Sequence, residues 1–465
     1  MEKTPDIKKI QHLYLRAGFG INYKALNESN HKSIGSLVDK LFYESKNYTG
    51  LTAVTMDLPR PKMKDLSEEE KKQVQKDTRD NGKQLKNAWL QKMEDEKGQL
   101  REKMTLFWHG HFACKINEPY LGQMLNNSMR DNAFGKFKDL LMAVSPSPAM
   151  LLFLNNEQNK KEHPNENFAR EVMELFTIGR GNYTENDIKE AARAFTGWSY
   201  NLETGEFQFR PKIHDEGNKK FMGQEGNIDG EDVIDIILAN KRTSVFLSRK
   251  IYKYFVNDTP DEDIVKNLAD YFYSTNYNIE SLMRKIYTSD WFYDEKNIGG
   301  RIKSPIELLI GINRTFNVKY EDPDVPVYLQ KLMGQELFEP PNVSGWPAGK
   351  NWIDSSSLMT RMKLPSVILN GGIIDVTPKE DLAEMSEMMM AEEKIKERIQ
   401  QKVKTTADWD ILLSQLPKDI KIDELAGYFL QPNLPDNIKT LISNVNDGIK
   451  MVILQLISTP EYQLC

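Results

Sequence analysis

The side chains best suited to chemistry in this chain lie close together in one predicted helical segment. One polar stripe of that helix, at positions i, i+3, i+4 and i+7, would carry Asn167, Arg170, Glu171 and Glu174. If the stripe lines a cleft, its two carboxylates beside a guanidinium could transfer protons or bind a metal, and the amides of Asn165 and Asn167 could bind a ligand. If the stripe faces solvent, it is an ordinary helix surface with an Arg170–Glu174 pair worth about 0.3–0.5 kcal/mol.

Histidine is scarce, with six residues in the chain, so the pair His109 and His111 is informative. Two histidines at i and i+2 can share a metal only where the backbone is extended, because such residues do not share a helix face. Gly110 between them would permit that break. The alternative is one histidine in the core and one on the surface.

A third histidine, His214, opens a segment that is rich in glycine and charged residues. His214 could act as a general base or a metal ligand, with Asp215 orienting it and Lys219 binding a ligand nearby. Aspartate and glycine also form plain turns, and a turn with Lys219 in solvent explains the same pattern.

A loop over residues 335–356 carries the two remaining candidates, Trp346 and Trp352. Its prolines and glycines indicate an ordered loop rather than a helix. The two indoles could stack on a sugar ring or a base. They could equally attach the loop to the core, with each indole N–H finding a partner.

Helical periodicity dominates the rest of the sequence and predicts an all-α fold. A helix is expected over 166–178, after Pro164 and ended by Gly179. One exception is an alternating segment rich in glycine and asparagine, which predicts a small β-hairpin or loop excursion near 200–225.

Further elements follow from end signals and apolar spacing. Ser67 and Glu70 have capping-box spacing, and Thr184 is placed to cap another helix. Apolar residues from Leu85 to Trp108 predict one long amphipathic helix. The Asn81-Gly82 pair is expected to separate that helix from the charged one before it, because glycine is poor inside helices.

Two regions are expected along the chain. Residues 1–365 would form the main helical domain, and residues 366–465 a C-terminal helical region. Within the latter, a Met- and Glu-rich arm at about 378–404, opened by Thr377-Pro378, would pack back on the core.

Composition excludes several classes of protein. With 62 Lys and Arg against 68 Asp and Glu, the net charge is −6, which argues against a general nucleic-acid binder. Cys114 and Cys465 are too few for a disulfide framework or a Cys-based zinc site. No apolar run reaches the ~20 residues of a membrane span, and the N-terminus shows no signal-peptide pattern. A cytoplasmic location is expected for the chain as given.

Several strings, in order, resemble the large bacterial family catalogued as domain of unknown function 1800. They are QHLYLRAGFG (11–20), MTLFWHGHFA (104–113), PNENFAREVMELFTIGRGNYTENDIKEAARAFTGW (164–198), HDEGNKKFMGQEG (214–226), EPPNVSGWPAGKNWIDSSSLMTRM (339–362) and STPEYQL (458–464). The resemblance implies a helical fold and carries over no catalytic residues. It also implies a nearby-encoded partner similar to alkaline phosphatases and sulfatases, and a periplasmic or exported location for many members.

Two functions follow from these residues. The first is a hydrolase acting on a polymeric or a sulfated or phosphorylated substrate, with Arg170, Glu171, Glu174, His214 and Asp215 as catalytic candidates. A divalent metal held by His109, His111 and His214 could activate water in it. The second is a non-catalytic helical scaffold, or a module that binds a glycan or protein through the Trp346/Trp352 loop. The first requires segments distant in sequence to converge.

Overall fold

A computed structural model describes residues 6–55, 65–95, 97–201, 204–370, 403–443 and 448–465 of the chain. The chain divides into two compact units that interleave along the sequence. Unit 1 comprises residues 1–37, 293–335 and 347–465, and unit 2 comprises residues 38–292 and 336–346. The division falls within helix α3 (Ile34–Glu44).

Unit 2 contains the helices that carry most of the predicted site. They are α4 (Glu68–Glu94), α5 (Gln99–His111), α6 (Pro119–Asp131), α7 (Phe137–Val144), α8 (Pro148–Phe153), α9 (Glu166–Glu171), α10 (Glu185–Ala194), α11 (Gly230–Ala239), α12 (Lys241–Phe255), α13 (Glu262–Ser274) and α14 (Ile279–Thr288). A π-helix, Val172–Thr177, continues directly from α9. The core of this unit is rich in aromatic side chains, among them Trp89, Trp108, Phe137 and Phe168.

Unit 1 is built from helices at both ends of the sequence and from the segment after α14. They are α1 (Ile7–Ala17), α2 (Tyr23–Ser29), α15 (Pro305–Phe316), α16 (Asp324–Leu332), α17 (Ser355–Asn370), α18 (Trp409–Leu413), α19 (Ile422–Phe429), α20 (Asp436–Ser443) and α21 (Ile449–Ile457). Its interior holds large charged side chains as well as apolar ones, including Arg16 and Arg361.

The described strands are short antiparallel pairs. In unit 2, β1 (Trp198–Tyr200) pairs with β2 (Phe207–Phe209), and β3 (Lys219–Phe221) pairs with β4 (Gln224–Gly226). In unit 1, β5 (Lys319–Tyr320) pairs with β6 (Thr405–Thr406). The prediction of a mainly helical fold with a small β excursion near 200–225 is confirmed.

Helix ends follow the sequence signals closely. Both predicted caps form complete capping boxes, Ser67 with Glu70 and Thr184 with Asp187. Gly179 ends its helix with a positive φ of 80°, as a residue beyond a helix C-terminus often does. A Cβ there would lie 2.9 Å from the ring of Phe246, so glycine is also required by packing.

Two predicted helix boundaries are wrong. The Asn81-Gly82 pair lies inside α4, which runs unbroken from Glu68 to Glu94. The expected single helix from Leu85 to Trp108 is instead broken between α4 and α5, where Gly98 has a φ of 74°. The long helix α4 tolerates the part-buried Gly82 at a cost of about 1 kcal/mol, whereas a positive φ such as that of Gly98 cannot continue a helix.

Two sequence expectations concern regions that the structure describes only in part. The arm at about 378–404 falls almost entirely outside the described residues. The domain boundary expected at residue 365 lies inside α17 of unit 1 and stays a prediction. In the described part of the chain, no helix is both long enough and apolar enough to cross a membrane.

Candidate carboxylate site at a π-helix

The segment with the predicted polar stripe forms two kinds of helix. Asn165 caps α9 by accepting a hydrogen bond from the backbone N–H of Asn167, at 3.0 Å. The Asn167 amide donates to the carbonyl of Leu154 at 3.1 Å. Both asparagines are therefore used to hold the start of α9, and Phe168 is buried beneath them. Their predicted ligand-binding role stays a prediction.

The chain then widens into the π-helix Val172–Thr177 immediately after Glu171. The Thr177 hydroxyl supports this widening by donating to the carbonyl of Val172, five residues earlier, at 2.6 Å. The N–H of Ile178 reaches the carbonyl of Met173 over the same interval. Single π-helical turns are rare and occur frequently at functional sites, which directs attention to the carboxylates of Glu171 and Glu174.

Glu174 is held by two partners that the sequence reading did not identify. The hydroxyl of Tyr183 donates to its Oε2 at 2.7 Å, and Nε of Arg180 donates to its Oε1 at 2.6 Å. Burial acts to raise the pKa of Glu174, but these hydrogen bonds outweigh it and leave that pKa below its usual value. Glu174 is therefore held in its ionised form.

Glu171 has the opposite environment. Its side chain is half-buried, and within the described residues no group donates a hydrogen bond to its carboxylate. Burial first, and the negative charge of Glu174 second, raise the pKa of Glu171 above its usual value, against weaker opposition from Arg170 and Arg180. A carboxyl group in this situation keeps its proton to a higher pH and is free to give it to another atom.

Arg170 does not form the Arg170–Glu174 pair that a solvated face would have. Its guanidinium donates to both carboxylate oxygens of Glu185 on α10, at 2.9 and 3.1 Å. It also donates to one carboxylate oxygen of Glu166, at 3.1 Å. The Glu185 hydrogen bond chiefly holds the pKa of Arg170 above its usual range. Arg170 thus joins α9 to the start of α10, next to the two carboxylates.

Asp215 and His214 form a second arrangement at the other end of α10. Asp215 accepts two hydrogen bonds from Arg193 of α10, at 2.7 and 3.2 Å, and these chiefly lower its pKa. Nδ1 of His214 lies 2.7 Å from the carbonyl of Thr196. Both predicted catalytic residues therefore engage α10 and the residues that follow it.

Lys219 lies inside the same loop and not in solvent. The residue is 1% exposed, and its ammonium donates to the carbonyls of Asp215 at 2.6 Å and Gly217 at 3.1 Å. Burial lowers the pKa of Lys219, although the charge of Asp215 opposes this. The alternative of a turn with Lys219 in solvent is therefore wrong.

The two arrangements are separated along α10. Glu185, which binds Arg170, and Arg193, which binds Asp215, are eight residues apart on this helix, or about 12 Å at the rise of an α-helix. The structure therefore places Glu171 and Glu174 with Arg180 and Tyr183, and places His214, Asp215 and Lys219 with Arg193 in a second group.

His109 and His111 lie on a continuous helix, because α5 runs through both and ends at His111. The backbone break that would let them share a metal is absent. Nε2 of His109 accepts a hydrogen bond from the N–H of Phe338 at 3.1 Å. Both histidines are buried, and burial lowers the pKa of His109 to about 3, so each is a neutral ring in the core.

His111 instead meets the end of the π-helix together with a lysine that the sequence reading missed. Nε2 of His111 lies 3.1 Å from the carbonyl of Phe176, and its Nδ1 lies 3.2 Å from Nζ of Lys250. Lys250, on α12, also donates to the carbonyl of Leu175 at 3.1 Å. Helix ends leave carbonyls without intrahelical partners. His111 and Lys250 bind two such carbonyls, those of Phe176 and Leu175.

Burial lowers the pKa of Lys250 to about 8. Burial, aided by the Lys250 charge, also places the pKa of His111 well below its usual value. No local motif marks Lys250 in the sequence, because its partners come from α5 and the π-helix.

The two tryptophans of the predicted binding loop are only partly available. Trp352 is 7% exposed. Trp346 is half-buried, with its ring centroid 5.1 Å from that of His109. Trp346 belongs to unit 2 and Trp352 to unit 1. Trp346 thus contacts a buried histidine of its own unit, and Trp352 is buried. Use of the loop to bind a glycan or protein stays a prediction.

Among the described residues, no group of three or more His, Cys, Asp or Glu side chains is placed to hold a metal ion. A family model with the description "Protein of unknown function (DUF1800)" matches residues 12–464 of the chain. No curated protein and no solved structure matches it.

Proposed function

The chain belongs to the DUF1800 family of proteins of unknown function, and from that premise we propose that it is a hydrolase that cleaves glycosidic bonds in a polymeric substrate. One observation carries the proposal: two neighbouring carboxyl groups have pKa values shifted in opposite directions. The pKa of Glu171 is raised and that of Glu174 is lowered. Paired carboxylates whose environments separate their pKa values in this way are typical of an acid and an ionised partner.

The proposed chemistry assigns one role to each carboxyl group. Glu171, whose raised pKa favours the protonated form and to which no described residue donates a hydrogen bond, gives its proton to the leaving glycosidic oxygen. Glu174, ionised and held by Tyr183 and Arg180, stabilises the positive charge that develops on the sugar ring. Water then adds to the ring carbon and gives its proton to the Glu171 carboxylate, which restores the proton donor. Arg170 positions both by anchoring α9 to α10 and does not bind the substrate.

The proposal gives no catalytic role to the predicted residues that lie away from Glu171 and Glu174. His214 and Asp215 bind Thr196 and Arg193 at the opposite end of α10, so they are assigned to holding the loop. His109 and His111 have backbone or lysine partners, so the proposal gives them no metal to bind. A divalent metal has no step in it.

The test is hydrolysis by the purified full-length chain of a panel of neutral, sulfated and phosphorylated polysaccharides, followed by release of reducing ends. Glu171→Gln and Glu174→Gln should each lower the rate by about 100-fold or more, as loss of a proton donor or ionised partner does. Glu231→Gln, an exposed glutamate of α11, is the matched control and should leave the rate unchanged. If the Glu171→Gln variant releases reducing ends as fast as the unaltered chain, Glu171 is not the proton donor.

The pH profile provides a second test. Activity should rise as Glu174 loses its proton, below the usual carboxyl range, and should fall as Glu171 loses its proton, above that range. The optimum should therefore be acidic, and Glu171→Gln should remove the alkaline limb from any residual activity. A profile that is flat through the carboxyl range contradicts both roles.

The partner implied by the family resemblance would act on the same kind of substrate. A phosphatase- or sulfatase-like protein encoded nearby would remove phosphate or sulfate groups from a polymer and so complement cleavage of its backbone. Faster hydrolysis of a polysaccharide after its enzymatic dephosphorylation or desulfation would support that partnership, and equal rates would contradict it.

A further inference from the structure

The interior of unit 1 contains an arginine that forms no ion pair with any described residue. Arg361 of α17 is 0% exposed. Its Nε donates to Oε1 of Gln463 at 3.0 Å, and its Nη2 donates to the carbonyl of Lys303. Both acceptors are uncharged, so the described residues satisfy part of the hydrogen bonding of this guanidinium but form no ion pair with it.

The acidic side chain that attracts Arg361 is bound to other partners. Glu307 binds the guanidinium of Arg301 through one oxygen and the N–H of Ser304 through the other, at 2.6 Å. Burial lowers the pKa of Arg361 to about 10, although the charges of Glu307 and Cys465 oppose this. The charge on this residue is thus costly to keep in the interior, since buried charges are normally paired.

Two buried N–H donors on these side chains have no acceptor among the described residues. They are Nη1 of Arg361 and Nε2 of Gln463. The orientation of the Gln463 amide follows from its contact with Arg361, because its oxygen must face the guanidinium N–H and its nitrogen is then the free donor. An unsatisfied buried donor costs about 1–3 kcal/mol, so a ligand that accepts from these groups would be stabilising.

The surroundings add further positive charge. Lys303 is 6% exposed, and its ammonium donates to the carbonyl of Tyr462 at 2.7 Å while lying 3.9 Å from the centre of that tyrosine ring. Arg301 is 5% exposed. Within the cluster formed by Arg301, Lys303, Glu307 and Arg361, cationic side chains outnumber the single acidic one.

We propose that unit 1 contains a buried binding site for a small monovalent anion of halide size, held by the guanidinium of Arg361 with Gln463 as a second donor. A single monovalent charge matches Arg361, the one guanidinium of this cluster that forms no ion pair with a described residue. The full burial of Arg361 restricts the ligand to an ion that needs little room.

Thermal unfolding of the full-length chain in chloride and in gluconate, at constant ionic strength, tests this site. Chloride and bromide should raise the melting temperature in a saturable way, because a ligand that binds only the folded state stabilises it. Arg361→Gln should abolish the difference between chloride and gluconate. Arg249→Gln, which removes an exposed ion pair with Glu262 on α12 and α13, should retain it.

Crystals of the unaltered chain grown in bromide keep the test independent of how the variant folds. An anomalous peak for bromide within hydrogen-bonding distance of Nη1 of Arg361 is the expected result. Two outcomes overturn the proposal: an ordered water only at that position, or a melting temperature that does not change when gluconate replaces chloride.

Discussion

Glu171 shows how a residue's environment, and not its type, selects it for chemistry. Residues 162–185 include five glutamates. Their spacing in the sequence does not show which of them is suited to catalysis. Glu166, Glu174 and Glu185 accept hydrogen bonds from arginine or tyrosine side chains. Glu171 is half-buried and accepts no hydrogen bond from a described residue, and burial first, with the charge of Glu174 second, raises the pKa of its carboxyl. That difference depends on which neighbours the fold supplies.

Stability measurements on Glu171→Gln separate the two functions considered for the chain. A carboxyl whose pKa is raised in the folded state makes folding less favourable once the pH exceeds the unfolded value, because the folded state must then hold a charge that burial disfavours. Glu171→Gln should therefore be at least as stable as the unaltered chain at pH 7, and the difference should shrink at pH 4. Urea unfolding at the two pH values measures it.

A clear loss of stability in Glu171→Gln at pH 7 would favour the scaffold function instead. In a scaffold the carboxylate would serve packing and register, so its replacement should weaken the fold. Glu231→Gln is the control for the general effect of removing one negative charge.

Asp215 belongs to a structural pair, and its replacement should act on stability. Asp215→Asn removes the charge that binds Arg193 through two hydrogen bonds and should lower the free energy of unfolding by about 2 kcal/mol at pH 7. Because the folded pKa of Asp215 is lowered, its stabilisation is present above the unfolded carboxyl pKa and is lost as the pH falls through the folded value. Unfolding at pH 7 and at pH 3 measures both effects.

Asp39→Asn is the matched control for that experiment. Asp39 binds Arg284 at 2.7 Å, but its side chain is 75% exposed, and exposed pairs contribute about 0–1 kcal/mol. An Asp215→Asn variant no less stable than Asp39→Asn would mean that the Arg193 pair does not anchor the loop.

At the scale of elements, the π-helix is stabilised at both ends by side chains from other helices. The α9 helix before it is joined to α10 through Arg170 and Glu185. At its far end, the carbonyls of Leu175 and Phe176 meet Lys250 and His111. These contacts offset the poorer geometry of a π-helical turn, and they fix where the helix widens relative to Glu171 and Glu174.

The buried ammonium of Lys250 should give the chain a stability that rises with pH. The unfolded state holds this proton more tightly than the folded state, where the pKa is about 8. The free energy of unfolding should therefore increase between about pH 8 and the usual lysine pKa, by about 3 kcal/mol in total. Lys250→Met should remove that increase, as measured by urea unfolding at pH 7, 8, 9 and 10.

Lys253→Met, an exposed residue of the same helix, should keep the increase. If Lys250→Met and the unaltered chain show the same dependence on pH, the ammonium is not desolvated and the π-helix end is held in another way.

At the scale of the whole molecule, unit 1 depends on segments from widely separated parts of the sequence. Lys8 of α1 donates to Asn433 at 2.7 Å, and Lys303 and Arg361 donate to Tyr462 and Gln463 near the C-terminal end of the sequence. Long-range contacts of this kind make the last residues part of the core.

Deleting residues 459–465 should therefore destabilise unit 1 by more than about 3 kcal/mol, since it leaves Lys303 and Arg361 buried without two of their acceptors. The expected measurement is a fall of several degrees in the melting temperature of the full-length protein. Lys8→Ala removes only an exposed contact and is the control. A deletion as mild as Lys8→Ala would show that Tyr462 and Gln463 do not support the two cations.

The sequence by itself determined which segments are helical and where several of them begin and end. It did so because caps such as Ser67 and Thr184, and the stop at Gly179, act on groups only three to five residues away. The β excursion was readable for the same reason. Local signals misplaced the break that Gly98 makes, and they gave no sign of the π-helix, whose widening depends on contacts with other elements.

Tertiary structure alone decided which polar residues work together. Arg170 could have met Glu174 one turn away on an ordinary helix, but α10 brings Glu185 to it and leaves Arg180 and Tyr183 for Glu174. It likewise brought Lys250 to His111 across 139 residues of sequence. Protonation depends on burial and on charges within a few ångströms, and those distances are set by how the helices pack.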